Sequence, residues 1–338
     1  MRVDYRRSMP VGPDQVRVRT LLSGISAGTE LTQYRGTSPL LTMRWDPVRR
    51  LFEDDSGVAP YPLETWGYEE VGAVVEVGRA VSEPAVGDVV WGSWGHRGEA
   101  VLEAGEAAPR RLEPGQTPLA GAFARMGAIA LNAVFDAEVL LGEWVAVFGQ
   151  GVVGLLVTQL ATQSGARVIA VDLSQHRLAL ARRLGAEHVL AASEEDVAVR
   201  IKDLTGGRGA DVAIEVSGAH AALAQAIRAI AYGSRVVAAG AYQGGAEALF
   251  LGREFHHNRV ELRCSQTQGI RAGIQHRWDR LRIEQTVVAL AAAGRLQLEP
   301  LVSHRLPVER APEAYAMLDA GSEAAIQVLL EFSAEPSA

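Results

Sequence analysis

The sequence predicts an α/β protein in two parts: a mostly β domain and a doubly wound, six-stranded parallel sheet. Two observations predict it. Residues 1–120 are rich in short β-branched runs broken by Gly and Pro, whereas from about 121 helix-like segments alternate with apolar strand-like runs. Strands that are apolar on both faces and separated by helices belong to a parallel sheet covered on both sides. A length of 338 residues suits two ordinary domains better than one.

In the first part, QVRVRTLL (15–22), VGAVVEVG (71–78) and DVVWGSW (88–94) read as strands with turn punctuation between them. In the second, the strands are WVAVFG (144–149), ARVIAVD (166–172), EHVLAA (187–192), DVAIEVSG (211–218), SRVVAAGA (234–241) and VELRCSQ (260–266). Amphipathic helices are expected between them, over 153–164 and 175–184 among others. Beyond about 270 the chain offers a helix over 282–294, an extended piece at 301–307, a helix from near Val308 and a last strand at 325–332. This tail is expected to return to the first part. The division is then 1–120 with 270–338, and 121–269.

Composition narrows the function. At 48% hydrophobic and 22% charged, the chain matches an ordinary globular protein. No apolar run reaches the ~20 residues of a membrane span, and the start lacks a signal-peptide core. A cytoplasmic protein away from membranes is expected. A net charge of -7 opposes a nucleic-acid partner, which needs Lys and Arg at phosphates. Lys202 is the single lysine, so a Schiff-base or general-base lysine would have to be that residue. Cys264, the single cysteine, excludes an intrachain disulfide and any cysteine-rich zinc cluster.

The strongest local signal is WVAVFGQGVVGLLVTQLA (144–161). Gly149, Gly151 and Gly154, with Val152 and Val153 between the last two, have the G-x-G-x-x-G spacing after a strand and at the opening of a helix. The first glycine permits the tight turn, the second admits a pyrophosphate to the backbone, and the third lets helix pack on strand. Asp172 ends the next strand, where an acid accepts from ribose hydroxyls. The combination predicts dinucleotide binding. Asp172 favours NAD, because a carboxylate repels the extra phosphate of NADP, although Arg177 nearby leaves NADP open. Ser217, Gly240, Ala241, Ser265 and Gln266 fall at the carboxyl ends of later strands, the edge where such sheets bind ligands.

Together with GISAGTE (24–30), GYEEVGAVVEVG (67–78), VGDVVWG (86–92), GADVAIEVSG (209–218) and LVSHRLPVERAPEAYAML (301–318), these features make the chain resemble a medium-chain dehydrogenase/reductase over nearly its full length. The resemblance implies a GroES-like catalytic domain built from both chain ends, an inserted Rossmann domain, a small-molecule substrate in the cleft between them, and a homodimer. The dimer would form through 260–266, otherwise an uncovered sheet edge. Family members have a further strand before the segment of Arg2–Tyr5, so the amino end is expected to be short.

Departures from the family are as informative. Zinc enzymes of the family hold the metal with a cysteine, a histidine followed by glutamate, and a third cysteine or acid. Aligned here, these positions fall on Ser26, on Tyr68 followed by Glu69, and on Arg125. Serine, tyrosine and arginine make no zinc site, so a metal-free enzyme is expected. The pattern, with FHHNRVELRCSQ (255–266), is most similar to a zinc-lacking subgroup whose namesake oxidises a hydroxyethyl group on bacteriochlorophyllide.

Hydride transfer without zinc still needs a proton carrier and a stabiliser for the alkoxide. Arg125 would supply a fixed cation; Tyr68 would donate a hydrogen bond or, with its pKa lowered by Arg125, act as acid/base. Ser26, Thr29 and Glu69 are relay candidates. The competing reading for Arg125 and Glu69 is a buried ion pair. Trp45, Trp66, Trp91 and Trp94, with His96, could line a bulky substrate or be core; His256 and His257 are assigned no role. The expected activity is interconversion of a secondary alcohol and a ketone. The alternatives are double-bond reduction of the quinone or enoyl type and a silent nucleotide-binding protein.

Overall fold

The computed structural model describes residues 2–4, 9–54, 61, 63 and 66–333; Tyr5 lies outside the described residues. The second part folds as the alternation predicts. Its strands are β7 (Trp144–Phe148), β8 (Arg167–Asp172), β9 (His188–Ala191), β10 (Ala210–Glu215), β11 (Ile230–Ala238) and β12 (Glu261–Cys264). They form one sheet in the order β12-β11-β10-β7-β8-β9, and every neighbouring pair is parallel. Both faces are covered. Val145 and Val147 pack on one side with Leu155 and Leu156, and Ala146 and Phe148 pack on the other with Leu223 and Ile227. The order reverses between β7 and β10, so their carboxyl ends flank the crevice where doubly wound sheets bind ligands.

The first part is built on β1 (Gln15–Ile25), an 11-residue strand that pairs with three others. The remaining strands are β2 (Met43–Asp46), β3 (Leu51–Asp54), β4 (Glu70–Val77), β5 (Val89–Gly92), β6 (Glu99–Glu103), β13 (Val302–Pro307) and β14 (Gln327–Glu331). The main sheet runs β13-β14-β1-β4-β5, with β6 also on β1, while β2 and β3 make a separate hairpin. Strands from both ends of the chain thus share one sheet. Leu22 pairs with Glu331 and Ile25 with Val328.

A helix (Ala27–Tyr34) follows β1 directly and carries Thr29 and Glu30. Another (Ala124–Ala137) leads into the parallel sheet and is buried along most of its length. Gly127 makes this possible, since a Cβ there would sit 2.3 Å from Val287 of the helix Arg280–Ala292. No helix among the described residues is long and apolar enough to cross a membrane.

Candidate functional site

At the carboxyl edge of the parallel sheet, each glycine of the loop after β7 has a physical reason. Gly149 has φ +91, and a Cβ on it would lie 2.8 Å from Ser217 of the loop after β10. Gly154 touches its own loop: a Cβ there would come 1.8 Å from the Gly149 carbonyl oxygen. Gly151 differs, because a Cβ on it would meet nothing within 4 Å. Its lack of a side chain leaves open space in front of the helix Val152–Gln163, whose first amides have no side-chain cap.

Asp172 sits beside this loop. Its carboxylate accepts from the Gln150 amide at 2.5 Å and from the Ser174 amide at 2.9 Å, which fixes its direction before any ligand arrives. An open, uncapped helix start with an adjacent oriented acid fits a dinucleotide. Arg177 points elsewhere, donating to the Ala325 carbonyl at 2.9 Å. Ser265 is drawn toward Asn132 at 3.0 Å, and Gly240 packs on Gly218, 2.3 Å from Cβ position to amide nitrogen.

Sequence reasoning passed over Glu215, the last residue of β10. Fully buried, it accepts from the amides of Ser217 at 2.8 Å and Gly218 at 3.2 Å, and from the hydroxyls of Ser217 and Tyr242. It therefore shapes the turn that faces Gly149. A carboxylate two residues before a serine-glycine turn is the signal that could have found it.

The second cluster lies where the end of β1 meets the segment before β4. The Tyr68 hydroxyl is hydrogen-bonded to Ser26 Oγ and donates to Thr29 Oγ1 at 3.3 Å. Ser26 is buried, Tyr68 half-buried and Thr29 exposed, so the triad runs from the interior to solvent.

The expectation that Arg125 lowers the Tyr68 pKa is corrected by the structure. Tyr68 is pushed up from its ordinary 10.0, first by burial and then by the negative charges of Glu69 and Glu30. The Arg125 guanidinium is 3.3 Å from Glu284, a buried carboxylate also approached by Arg110 at 3.5 Å and Arg280 at 2.9 Å. Glu69 is likewise buried; desolvation, with Glu30 and Glu70 beside it, holds its carboxyl well above the usual range. Gln327 is 3.3 Å from one of its oxygens. Glu69 is paired with Gln327, not with Arg125.

Of the aromatic set, Trp91 and Trp94 are buried in separate hydrophobic clusters, in keeping with the core reading for these two. Trp45 stacks on Phe52 in the exposed hairpin, 5.0 Å between ring centroids.

The family model of zinc-binding dehydrogenases matches residues 152–282. The D-guloside 3-dehydrogenase of Escherichia coli (strain K12) is 33% identical over 309 residues, covering 89% of this chain and 88% of that protein. The chain belongs to the medium-chain alcohol dehydrogenase family. Among solved structures, the 2R,3R-butanediol dehydrogenase of Bacillus subtilis is similar with a TM-score of 0.76 and 25% identity, over 98% of this chain and 96% of that one. An alcohol dehydrogenase from Thermus sp. ATN1 is similar with a TM-score of 0.75 and 25% identity, over the same 98% and 96%. As a medium-chain dehydrogenase the protein is an enzyme of nicotinamide-dependent oxidoreduction.

The family's name implies zinc, which takes thiolate, imidazole or carboxylate donors. Here Ser26 and Tyr68 offer hydroxyls, Arg125 a cation, and Glu69 a lone buried carboxyl with its pKa raised by desolvation. Cys264 is on β12, exposed. Among the described residues no group of three or more His, Cys, Asp and Glu could hold a metal ion. The residues present do not fit zinc.

Proposed function

We propose that the protein is a metal-free, NAD-dependent dehydrogenase that interconverts a secondary alcohol and a ketone on a small or specialised-metabolite substrate. The reading is supported by Ser26, Tyr68 and Arg125 standing where zinc enzymes carry ligands, as in the zinc-lacking subgroup that the motifs resemble. The observation that carries the reading is the Tyr68 hydroxyl, joined to Ser26 and exposed Thr29. The names of the relatives, a glycoside 3-dehydrogenase and a butanediol dehydrogenase, make glycosides and vicinal diols the first substrates to test.

NAD, when bound, supplies the hydride acceptor. The chain's own residues handle the proton. In the oxidation, the substrate hydroxyl proton passes to the Tyr68 oxygen as the Tyr68 proton passes along its bond to Thr29 and on to water. In the reduction the same hydroxyl donates to the ketone oxygen. With its pKa raised by burial and nearby carboxylates, Tyr68 serves as a hydrogen-bond donor and relay, not as a phenolate base. Arg125 is engaged by Glu284, so stabilising the developing alkoxide falls to the hydroxyl donors. The direct test follows NADH absorbance across a panel of glycosides, diols and simple secondary alcohols. Failure with every alcohol, and turnover of an activated alkene, rejects the reading.

Three outcomes follow from it. Purified protein should carry far less than one zinc per chain, and a chelator should leave turnover intact. One tightly bound zinc per chain overturns the placement of Ser26, Tyr68 and Arg125 at the former ligand positions. NAD(H) should bind more tightly than NADP(H), and Asp172→Ala should shrink that preference, since the oriented carboxylate repels a ribose phosphate. A parent preference for NADPH favours the double-bond reductase. The third outcome concerns assembly: β12 pairs only with β11 among the described residues, leaving an edge on which Leu262 is 40% exposed. Pairing of two such edges about a twofold axis gives a homodimer. Light scattering at micromolar concentration should return twice the chain mass, and a monomer rejects it.

A further inference from the structure

Behind the hydroxyl triad lies a buried polar network that the proton transfer above does not use. Its hub is His96, on the loop after β5, with a side chain only 9% exposed. The ring nitrogen Nδ1 is 2.6 Å from Ser23 Oγ, and Nε2 is 2.9 Å from both Glu30 Oε2 and the Tyr315 hydroxyl. Tyr315 is fully buried in the helix Ala311–Asp319; it donates to Glu30 and accepts from the Trp66 indole. Ser23 in turn donates to Glu70 at 3.0 Å.

Donor counting shows how tightly the ring is held. The single proton of Tyr315 goes to Glu30, so Nε2 must carry a hydrogen and donate to that carboxylate as well. Ser23 has one proton and two partners, His96 and Glu70. Its oxygen lies within hydrogen-bond distance of both. Both ring edges are then bonded, and the imidazole has one orientation.

Two arms leave this hub. Through Glu30, whose other oxygen accepts from the Ser26 amide at 2.9 Å, it fixes the backbone that carries the Ser26 hydroxyl. Through its own amide, which donates to the Trp66 carbonyl at 2.7 Å, it holds the segment before Tyr68. The ring also lies flat against Gly67, where a Cβ would come 2.6 Å from Cε1 and φ is +88. The arms end on Ser26 and Tyr68, the two residues whose hydroxyls meet. We infer that His96 is the positioning residue of the hydroxyl triad, setting the Ser26–Tyr68 hydrogen bond through Glu30 on one side and Gly67 on the other. The inference rests on the proposed role of Tyr68.

The test compares His96→Leu, which fills the space without bonding, with His96→Gln, which keeps a donor toward Glu30. Protein labelled with 13C at tyrosine Cζ gives a Tyr68 signal, assigned by its loss in Tyr68→Phe. In His96→Leu that signal should move, and kcat should fall about tenfold or more, because sub-ångström displacement of a reacting group is costly. NADH affinity should hold, and His96→Gln should recover part of both changes. An unmoved Tyr68 signal with parent kcat in folded His96→Leu overturns the inference; so does equal loss in the leucine and glutamine variants. Should His96→Leu fail to fold, Gly67→Ala presses on the same ring and should displace the same signal, and an unmoved signal there overturns the inference. Parent turnover in Tyr68→Phe would sink the role given to Tyr68. The NMR signal still decides whether His96 positions it.

Discussion

Replacing Tyr68 with phenylalanine should lower kcat by about a hundredfold or more, the range lost when a proton-transfer group or a preorganised oxyanion donor is removed. The ring fits the same space, and the glycine loop proposed to receive the nucleotide belongs to the other sheet. NAD(H) affinity should therefore stay near the parent value in a fluorescence titration. Ser26 would lose its partner, but Thr29 is exposed and can bond to water, so the change is local. The raised Tyr68 pKa adds a second expectation. A phenol that stays protonated beyond its ordinary 10.0 contributes no inflection to the rate at lower pH, so parent and variant should share one profile shape at different heights. Parent turnover in the folded variant would make Tyr68 scaffold. The relay would then belong to Ser26, Thr29 or Glu69, or to the substrate.

The second large effect is expected at Gly154. Alanine there puts its Cβ 1.8 Å from the Gly149 carbonyl oxygen, far inside contact distance, and the obstacle is backbone that cannot rotate away. Relief requires the loop after β7 to lift off the helix Val152–Gln163. That movement separates Gly149 from Ser217, and Gln150 from the Asp172 carboxylate, which its amide reaches at 2.5 Å. Losing even one charge-assisted hydrogen bond to the nucleotide costs about 1.5–3 kcal/mol, so affinity for NADH should fall about tenfold or more. Overpacking should also lower the melting temperature. Gly151→Ala is the matched control, because its Cβ meets nothing in the protein. It should leave the melting temperature alone and weaken only the nucleotide. Parent NADH affinity in Gly154→Ala would remove this loop from the cofactor site.

The parallel sheet could be read from the sequence because its signals are local. Each strand is apolar on both faces and each is followed by a helix, so alternation alone orders them. Ends were less legible: β11 starts at Ile230 and not at 234, because it pairs back to Ala210 across an irregular register. The hairpin β2–β3 and the helix Ala27–Tyr34 were missed, being short and mixed in polarity. Within the site, Ser26 and Tyr68 were accessible through motif alignment. Arg125 was misjudged in its effect because its partner, Glu284, lies 159 residues away with no pattern to join them. The network of Glu30, His96 and Tyr315 was invisible for the same reason. Each residue is unremarkable in its own segment, and only the fold brings the three together.

The pairing of β1 with β14 has a consequence for how the molecule is made. On the ribosome, β1 emerges among the first residues, and its partner at Gln327–Glu331 among the last. All six strands of the parallel sheet, from Trp144 to Cys264, are synthesised in between. At elongation rates of about 5–20 residues per second, the end of β1 at Leu22–Ile25 lacks its β14 partner for many seconds, a short edge that invites wrong pairing. Gln327, which reaches Glu69, and Tyr315, which anchors Glu30, arrive in the same final stretch. The nascent chain can therefore complete its parallel sheet, with the glycine loop proposed for the nucleotide, well before the hydroxyl triad is locked. On the proposed reading, the order of synthesis separates cofactor capture from chemistry.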